Sequence, residues 1–327
     1  MSQSKQCQIG PDDGGQRLDR WLRRAYPKVP QALLQRLLRS GQIRLDGKRA
    51  KADTPLQAGQ WLRLPPQLTA EPAPEGNAAP LDPDAVAGLR QAVLFEDDWV
   101  IALNKPAGLA VQGGSGQRSS IDRLVAGLVP AGVPVPRLVH RLDRDTSGVL
   151  LLAKSAEAAR RLARTFQGRS ARKLYWALVQ GVPSKRAGRI DRPLSKQGPE
   201  GQQRMESDPE GQAAETLYAT ASLAGGKASL LVLAPLTGRT HQIRAHLAAI
   251  GHPILGDVKY GATKRTPAGE AGLMLHAAEL AVPHPEDETT LRIVAPAPEA
   301  FLGACRRLGL DPRAADLARA QLEARGA

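Results

Sequence analysis

The chain has 327 residues, enough for two domains on the usual length scale, and its 42% hydrophobic content excludes wholesale disorder. The formal net charge of +13 points to a polyanionic partner, nucleic acid or an anionic membrane surface. No apolar run approaches the ~20 residues that cross a bilayer, and the first thirty residues lack the apolar core of a signal peptide, so nucleic acid and the cytoplasm are expected rather than lipid.

Residues 1–65 hold thirteen Lys and Arg against five Asp, a net of +8. Within them QRLDRWLRRAYP predicts a helix, with Leu18, Trp21, Leu22 and Ala25 on one face and Arg17, Arg20 and Arg24 on the other. PQALLQRLLRSG predicts a second helix, with Pro30 in its first turn and Gly41 as its stop. Its core stripe is Leu33, Leu34, Leu37 and Leu38, with Arg36 and Arg39 facing out. QIRLDGKRA reads as a hairpin turning at Asp46-Gly47 and carrying Arg44, Lys48 and Arg49. QWLRLPP is a closing strand. RLDRWL, LLQRLLRSGQIRLDGKR and LQAGQWLRLPP together resemble the S4-like RNA-binding domain. The resemblance implies that Arg17, Arg20, Arg24, Arg36, Arg39, Arg44, Lys48 and Arg49 contact RNA.

Residues 66–90, rich in Pro, Ala and acidic side chains with a net charge of −3, read as a flexible linker. From residue 91 apolar strands alternate with turns and a few helices: WVIALNKP, GVLLLAK, a helix from about Ala156 to Phe166, KLYWALVQG, AETLYATASL, KASLLVLAPL, a turn and helix in TGRTHQIRAHLAAIG, then LMLHAAELAV and TLRIVAP. This order predicts an α+β domain over 91–310, built on a mainly antiparallel mixed sheet flanked by helices and loops. Residues 311–327 are a tail or terminal helix.

One stretch of this domain is out of character. HRLDRDTSG, residues 140–148, places His140, Arg141, Asp143, Arg144 and Asp145 between two apolar runs, and buried charge is costly unless paired. Cys7 and Cys305 form no CxxC pair, the histidines form no HExxH motif, and GLAVQGGSG lacks the GK[ST] ending of a P-loop. No metal and no cofactor are expected.

HRLDRDTSGVLLLAKS resembles the catalytic motif of the RluA-type pseudouridine synthases. LNKPAGLAV, RKLYWALVQG, LTGRTHQIRAHLAAIGHPILGDVKYG and LMLHAAEL match in the family's order, so the resemblance covers most of residues 91–295. With the S4-like unit in front, the chain is similar to the large-subunit ribosomal RNA enzymes. VQGGSG and VPQALLQRLLRSGQIRLDGKR are most like a subgroup acting on several uridines of 23S rRNA, whereas GHPILGD is nearer the broader family. The resemblance implies isomerisation of uridine to pseudouridine after base flipping. Asp143 is then the catalytic aspartate, as a nucleophile or as a base on the ribose. Arg239 is its cationic partner, and Tyr175 stacks on uracil and assists proton removal at C5. Leu275 packs against the base. Lys105, Arg141 and Arg244 are candidates for phosphate contacts or ion pairs. A monomer acting on ribosomal RNA is the expected assembly. A phosphatase reading of LDRDTS fails on spacing, because Thr146 stands where that loop does not place it. A pure RNA-binding protein would share the charge and the S4-like unit but need not keep Asp143, Tyr175 and Arg239.

Overall fold

The computed structural model describes residues 5–10, 13–26, 29–68, 81–113, 119–130, 132–168, 170–199, 203–261 and 272–326. The chain divides into two units, Met1–Pro80 and Leu81–Ala327.

The first unit contains β1 (Lys5–Gln8), α1 (Leu18–Ala25), α2 (Gln31–Arg39), β2 (Arg44–Leu45), β3 (Lys48–Arg49) and β4 (Trp61–Leu64). Leu18, Trp21 and Leu22 of α1 and Leu34, Leu37 and Leu38 of α2 are buried, as helical spacing requires. The sheet runs β1-β4-β2-β3, antiparallel throughout. Asp46 and Gly47 have φ of 47° and 73°, the left-handed pair that matches a two-residue hairpin turn to strand twist. Ile9, Leu45, Leu56, Leu62 and Leu64 close the core from the sheet side.

The expected linker is shorter than residues 66–90. Pro66–Leu68 form a 3-10 turn, with Leu68 buried in the first unit's core. Residues 69–80 lie outside the described residues. Pro83–Gln91 is a helix, α3, whose N-terminus Asp82 caps by accepting from the N–H groups of Asp84 and Ala85. Leu89 is buried, and Leu81, Ala85 and Val86 pack on the same cluster. The apolar spacing of Leu81, Ala85, Val86 and Leu89 overrides the acidic composition that suggested a linker.

The second unit continues with β5 (Val93–Glu96), β6 (Val100–Lys105), α4 (Ile121–Leu124), β7 (Arg137–Leu138), β8 (Ser147–Ala153), α5 (Ala156–Gln167), β9 (Arg172–Gln180), β10 (Ala187–Asp191), β11 (Leu194–Gln197), β12 (Arg204–Ser207), β13 (Glu215–Ala224), β14 (Ala228–Pro235), α6 (Gln242–Ala249), β15 (Leu275–Pro283), β16 (Thr290–Val294), α7 (Glu299–Leu308) and α8 (Ala315–Glu323). Its main sheet runs β10-β13-β14-β9-β15-β8-β6-β5, with β16 on β15 and β7 on β8; β11 and β12 form a separate hairpin. All pairings are antiparallel except one, where β15 meets β8 in parallel at His276↔Ser147 and Ala277↔Gly148. Every residue of β8 is buried. Val149 and Leu151 pack with Ala158 and Leu162 of α5, while Leu150 and Leu152 pack with Ile121 and Leu124 of α4. A strand covered on both faces reads as an unbroken apolar run.

The C-terminal segment belongs to this unit. Ala315, Ala318 and Leu322 of α8 are buried against Leu217, Ala219, Val232 and Ala234 of β13 and β14. Small residues at helical spacing let α8 lie close to the sheet, so residues 311–326 are not a free tail.

Candidate active site

The charged stretch 140–148 is the connection that leads into β8. Its acids and bases separate into different environments. His140 Nε2 accepts the Leu151 N–H at 2.8 Å, and its ring stacks on Phe166 with centroids 4.6 Å apart. Burial, then the charge of Lys173, pushes its pKa down to about 3, so the imidazole is neutral. Arg144 and Asp145 pair with each other on the surface at 3.0 Å. The carbonyl of Arg144 accepts from the Gly108 N–H at 2.9 Å and from Lys105 Nζ at 2.8 Å. Lys105 is fully buried and also donates to the carbonyls of Pro106 and Leu109, each at 2.8 Å. Burial lowers its pKa to about 8, against the pull of Asp145 and Asp143. Of the two roles the sequence left open for Lys105, a phosphate contact or an internal pairing, the geometry is the internal one: its three donors go to carbonyls inside the protein, where they pin the loop that carries Asp143.

The second half of the site is the turn into α6. Gln242 is buried; its Oε1 accepts from Thr237 Oγ1 and the Arg239 N–H, and its Nε2 donates to the Glu215 carbonyl and Thr216 Oγ1. That network fixes the TGRTH turn on β13. Arg244, two residues further on, is buried and donates to both oxygens of Asp257 at 2.7 and 2.8 Å. It lies over the Tyr260 ring at 5.1 Å, and its Nη1 reaches Asp143 Oδ2 at 3.4 Å. Burial alone would lower its pKa, but the hydrogen bonds and charge of Asp257, then the charge of Asp143, outweigh this and raise it. The cation that meets Asp143 is thus Arg244 and not Arg239. Arg239 lines the same cleft, but its Nε donates to the Ala213 carbonyl at 3.1 Å. Both arginines lie in one motif, and the left-handed backbone of His241, φ 51°, sends them in different directions.

Asp143 is 24% exposed, and its carboxylate is shared by two clefts. One, of about 340 Å³, is lined by Leu142, Thr146, Phe166, Lys173, Tyr175, Arg239, Ile243 and Leu275. The other, of about 840 Å³, is lined by Ala107–Gly108, Arg141, Asp145, Asp257 and Lys259. Tyr175 and Lys173 alternate on one face of β9, as the sequence pattern required, and both reach the first cleft. Burial, then the negative charge of Asp143, raises the Tyr175 pKa and keeps the phenol protonated. Leu275, the first residue of β15, is buried in the cleft wall. Arg141 is exposed, lines both clefts and donates weakly to Gln112 Oε1 at 3.4 Å. Residues 114–116 of VQGGSG lie outside the described residues. The sequence reading missed Gln242, Asp257 and Tyr260; the available signal was an acid and an aromatic close together in GDVKYG, at the end of a family motif. No group of three or more His, Cys, Asp or Glu is placed to hold a metal ion among the described residues.

In the first unit, all eight cations expected to contact RNA are exposed. Arg17 pairs with Asp19 at 2.8 Å, Arg24 pairs with Asp13, and Arg49 donates to the Arg39 carbonyl. Arg44 donates to the Gly41 and Gly47 carbonyls at 3.4 Å. These hydrogen bonds and ion pairs stretch the side chains along the surface without removing their charge from solvent.

Residues 99–249 match the family described as RNA pseudouridylate synthase, and residues 16–62 match the S4 domain. The chain belongs to the RluA family of RNA pseudouridine synthases, as a member with an N-terminal S4 domain. Among its relatives, the ribosomal large subunit pseudouridine synthase C of Vibrio parahaemolyticus serotype O3:K6 is 38% identical over 293 residues, 88% of this chain and 91% of the relative. The protein of that name from Escherichia coli K12 is also 38% identical, over 307 residues, 92% of this chain and 95% of the relative. The solved structure of human RNA pseudouridylate synthase domain containing 4 is 29% identical, covers 70% of this chain and 97% of its own, and superposes with a TM-score of 0.59. No helix among the described residues is long and apolar enough to cross a membrane.

Proposed function

We propose that this enzyme isomerises specific uridines of large-subunit 23S ribosomal RNA to pseudouridine, with Asp143 as the reactive carboxylate. The observation that carries the reading is Asp143 at the meeting of two clefts, with Arg244 on one oxygen and Tyr175 and Leu275 in the adjoining wall. Support for the substrate comes from the relatives named for large-subunit synthase C and from the S4 domain.

The reaction breaks the bond from uracil N1 to ribose C1′ and forms one from C5 to C1′. A proton leaves C5 and one is taken up at N1, so atoms and electrons balance within the nucleotide and solvent. A carboxylate serves this chemistry by adding to the sugar or base, or by removing a ribose proton. Arg244, held by Asp257, offsets the charge of Asp143 in its partly buried place. The uridine must leave its stack to enter the 340 Å³ cleft, at a cost of a few kcal/mol that is smallest in a loop or bulge. Tyr175 offers uracil a flat ring, and its raised pKa makes it a hydrogen-bond donor before substrate binds rather than a free phenolate. Leu275 closes the cleft with an apolar wall. The exposed arginine Arg141 suits a backbone phosphate.

The test is tritium release from a 23S rRNA transcript labelled at uridine C5, comparing wild type with Asp143→Asn. Release by wild type and none above background by the variant is the expected result, and mapping the products names the sites. Release by both removes Asp143 from the chemistry. Tight RNA binding without release by either overturns the enzymatic reading for this RNA and leaves a binding protein.

A further inference from the structure

His241 has no part in the chemistry just described, although it stands beside Asp143 and has an uncommon backbone. Its φ of 51° is left-handed, a sparsely populated conformation for a residue with a side chain. That backbone turns the imidazole between Tyr260 and Asp143. Nδ1 lies 3.0 Å from Tyr260 Oη, and Nε2 lies 3.9 Å from Asp143 Oδ1.

The direction of the Tyr260 hydrogen bond follows from its other partner. The Met205 backbone N–H, in β12, donates to Tyr260 Oη at 3.0 Å. The phenol oxygen is thereby an acceptor, and its own hydrogen needs somewhere to go. Tyr260 is buried, and His241 Nδ1 is the acceptor within reach among the described residues. A neutral imidazole carries one proton. If Nδ1 accepts, the proton sits on Nε2 and points toward Asp143. The reverse tautomer would aim a lone pair at a carboxylate oxygen and leave the phenol hydrogen without that acceptor.

We propose that His241 is a positioning residue for Asp143, locked as its Nε2–H tautomer by Tyr260, with the β11–β12 hairpin setting that tautomer through Met205. This rests on Asp143 being the reactive carboxylate. Its two oxygens then face one donor each: Arg244 Nη1 toward Oδ2 and His241 Nε2–H toward Oδ1. The distance of 3.9 Å is too long for a hydrogen bond. Such contacts tighten when substrate fills a site, and a shift of about 1 Å closes this one. Burial lowers the pKa of His241, consistent with a neutral ring despite the opposing pull of Asp143.

The experiment uses the full chain labelled with ¹⁵N-histidine. The ring signals of His241 are assigned by their loss in His241→Gln, and its tautomer is read from the nitrogen shifts. Wild type should show a bare Nδ1 and a protonated Nε2. Tyr260→Phe keeps the ring under Arg244 but removes the hydroxyl, and should give a mixture of tautomers. Turnover should fall roughly tenfold to a hundredfold in His241→Ala, the worth of one hydrogen bond to a charged group, and by less in Tyr260→Phe, in proportion to the Nε2–H tautomer lost, with little change in KM in either. His241→Gln can place an amide N–H where Nε2 was and should retain most turnover; His241→Asn and His241→Ala should not. A proton on Nδ1 in wild type overturns the proposal, as does a Gln variant no faster than the Ala variant. The nitrogen spectrum needs no turnover, so the lock is judged even if Asp143→Asn proves active and the function proposed above fails.

Discussion

Lys105 and His140 show how a titratable side chain can serve a site by holding its framework. Replacing Lys105 by Met leaves the carbonyls of Pro106, Leu109 and Arg144 without their shared donor. We expect a loss of about 3 kcal/mol in unfolding free energy, read by urea denaturation, because buried acceptors lose hydrogen bonds to a charged group. A variant as stable as wild type would show that the ammonium is dispensable to the loop. His140 has a folded pKa near 3 and an ordinary value of 6.5 when unfolded. The unfolded chain therefore takes up a proton that the folded one refuses between those values, and stability falls as pH drops through that window. The thermal midpoint should decline from pH 7 toward pH 4, and less steeply in His140→Gln; equal slopes would mean that His140 is not held neutral. At this scale the sequence picked out motifs that the fold brings together around Asp143, but not which cation meets it. Lys105, Arg239 and Arg244 are all cations in strand-adjacent motifs, and only the burial of Lys105 and the turn at His241 decide which one reaches Asp143.

The parallel pairing of β8 with β15 joins two stretches more than a hundred residues apart, and Gly148 permits it. A Cβ there would stand 2.1 Å from the Ala277 carbonyl oxygen, on a backbone with φ of +113°. Gly148→Ala should destabilise the second unit by more than about 3 kcal/mol, through the clash and the strained backbone together. Circular dichroism melts would show it, and an unchanged midpoint would mean the two strands can part at little cost. The apolar strands β6, β8, β9, β13, β14 and β15 were legible because each buries a long hydrophobic run. Strands β10 and β11 were not, since RIDRPLSKQG mixes charges with Pro and Gly and hides its period, nor was β12, whose RMES carries two charges in four residues. Helix α3 was hidden for a related reason, since it packs through Ala85, Val86 and Leu89 within an acidic stretch, while for α8 a helix was one of the two alternatives the sequence left open.

Across the whole molecule, charge and chemistry reside in different units. The first unit carries +8 over residues 1–65, and the eight cations expected to contact RNA are exposed, while the second holds the aspartate and its clefts. Each unit has its own buried core. Removing Met1–Pro80 should leave Leu81–Ala327 folded and weaken rRNA binding. The slope of log affinity against log salt should also become shallower, by about 0.7 to 0.9 for each phosphate that the S4 domain no longer neutralises. Affinity unchanged at physiological salt would take the grip on RNA away from the S4 domain. This division was plain in the sequence, because net charge survives any error in placing individual elements.

Strand β15 also sets an order of events in time. It lies mid-sheet between β8 and β9, yet it begins at Leu275 and supplies the cleft wall. While the chain is being made, β6 with β8 and β9 with β14 can form as two partial sheets, each with an unsatisfied edge facing the other. Nothing seals the gap until β15 itself, Leu275–Pro283, has left the ribosome. Until then the cleft lacks its Leu275 wall, and the two partial sheets keep open edges on which other chains can pair.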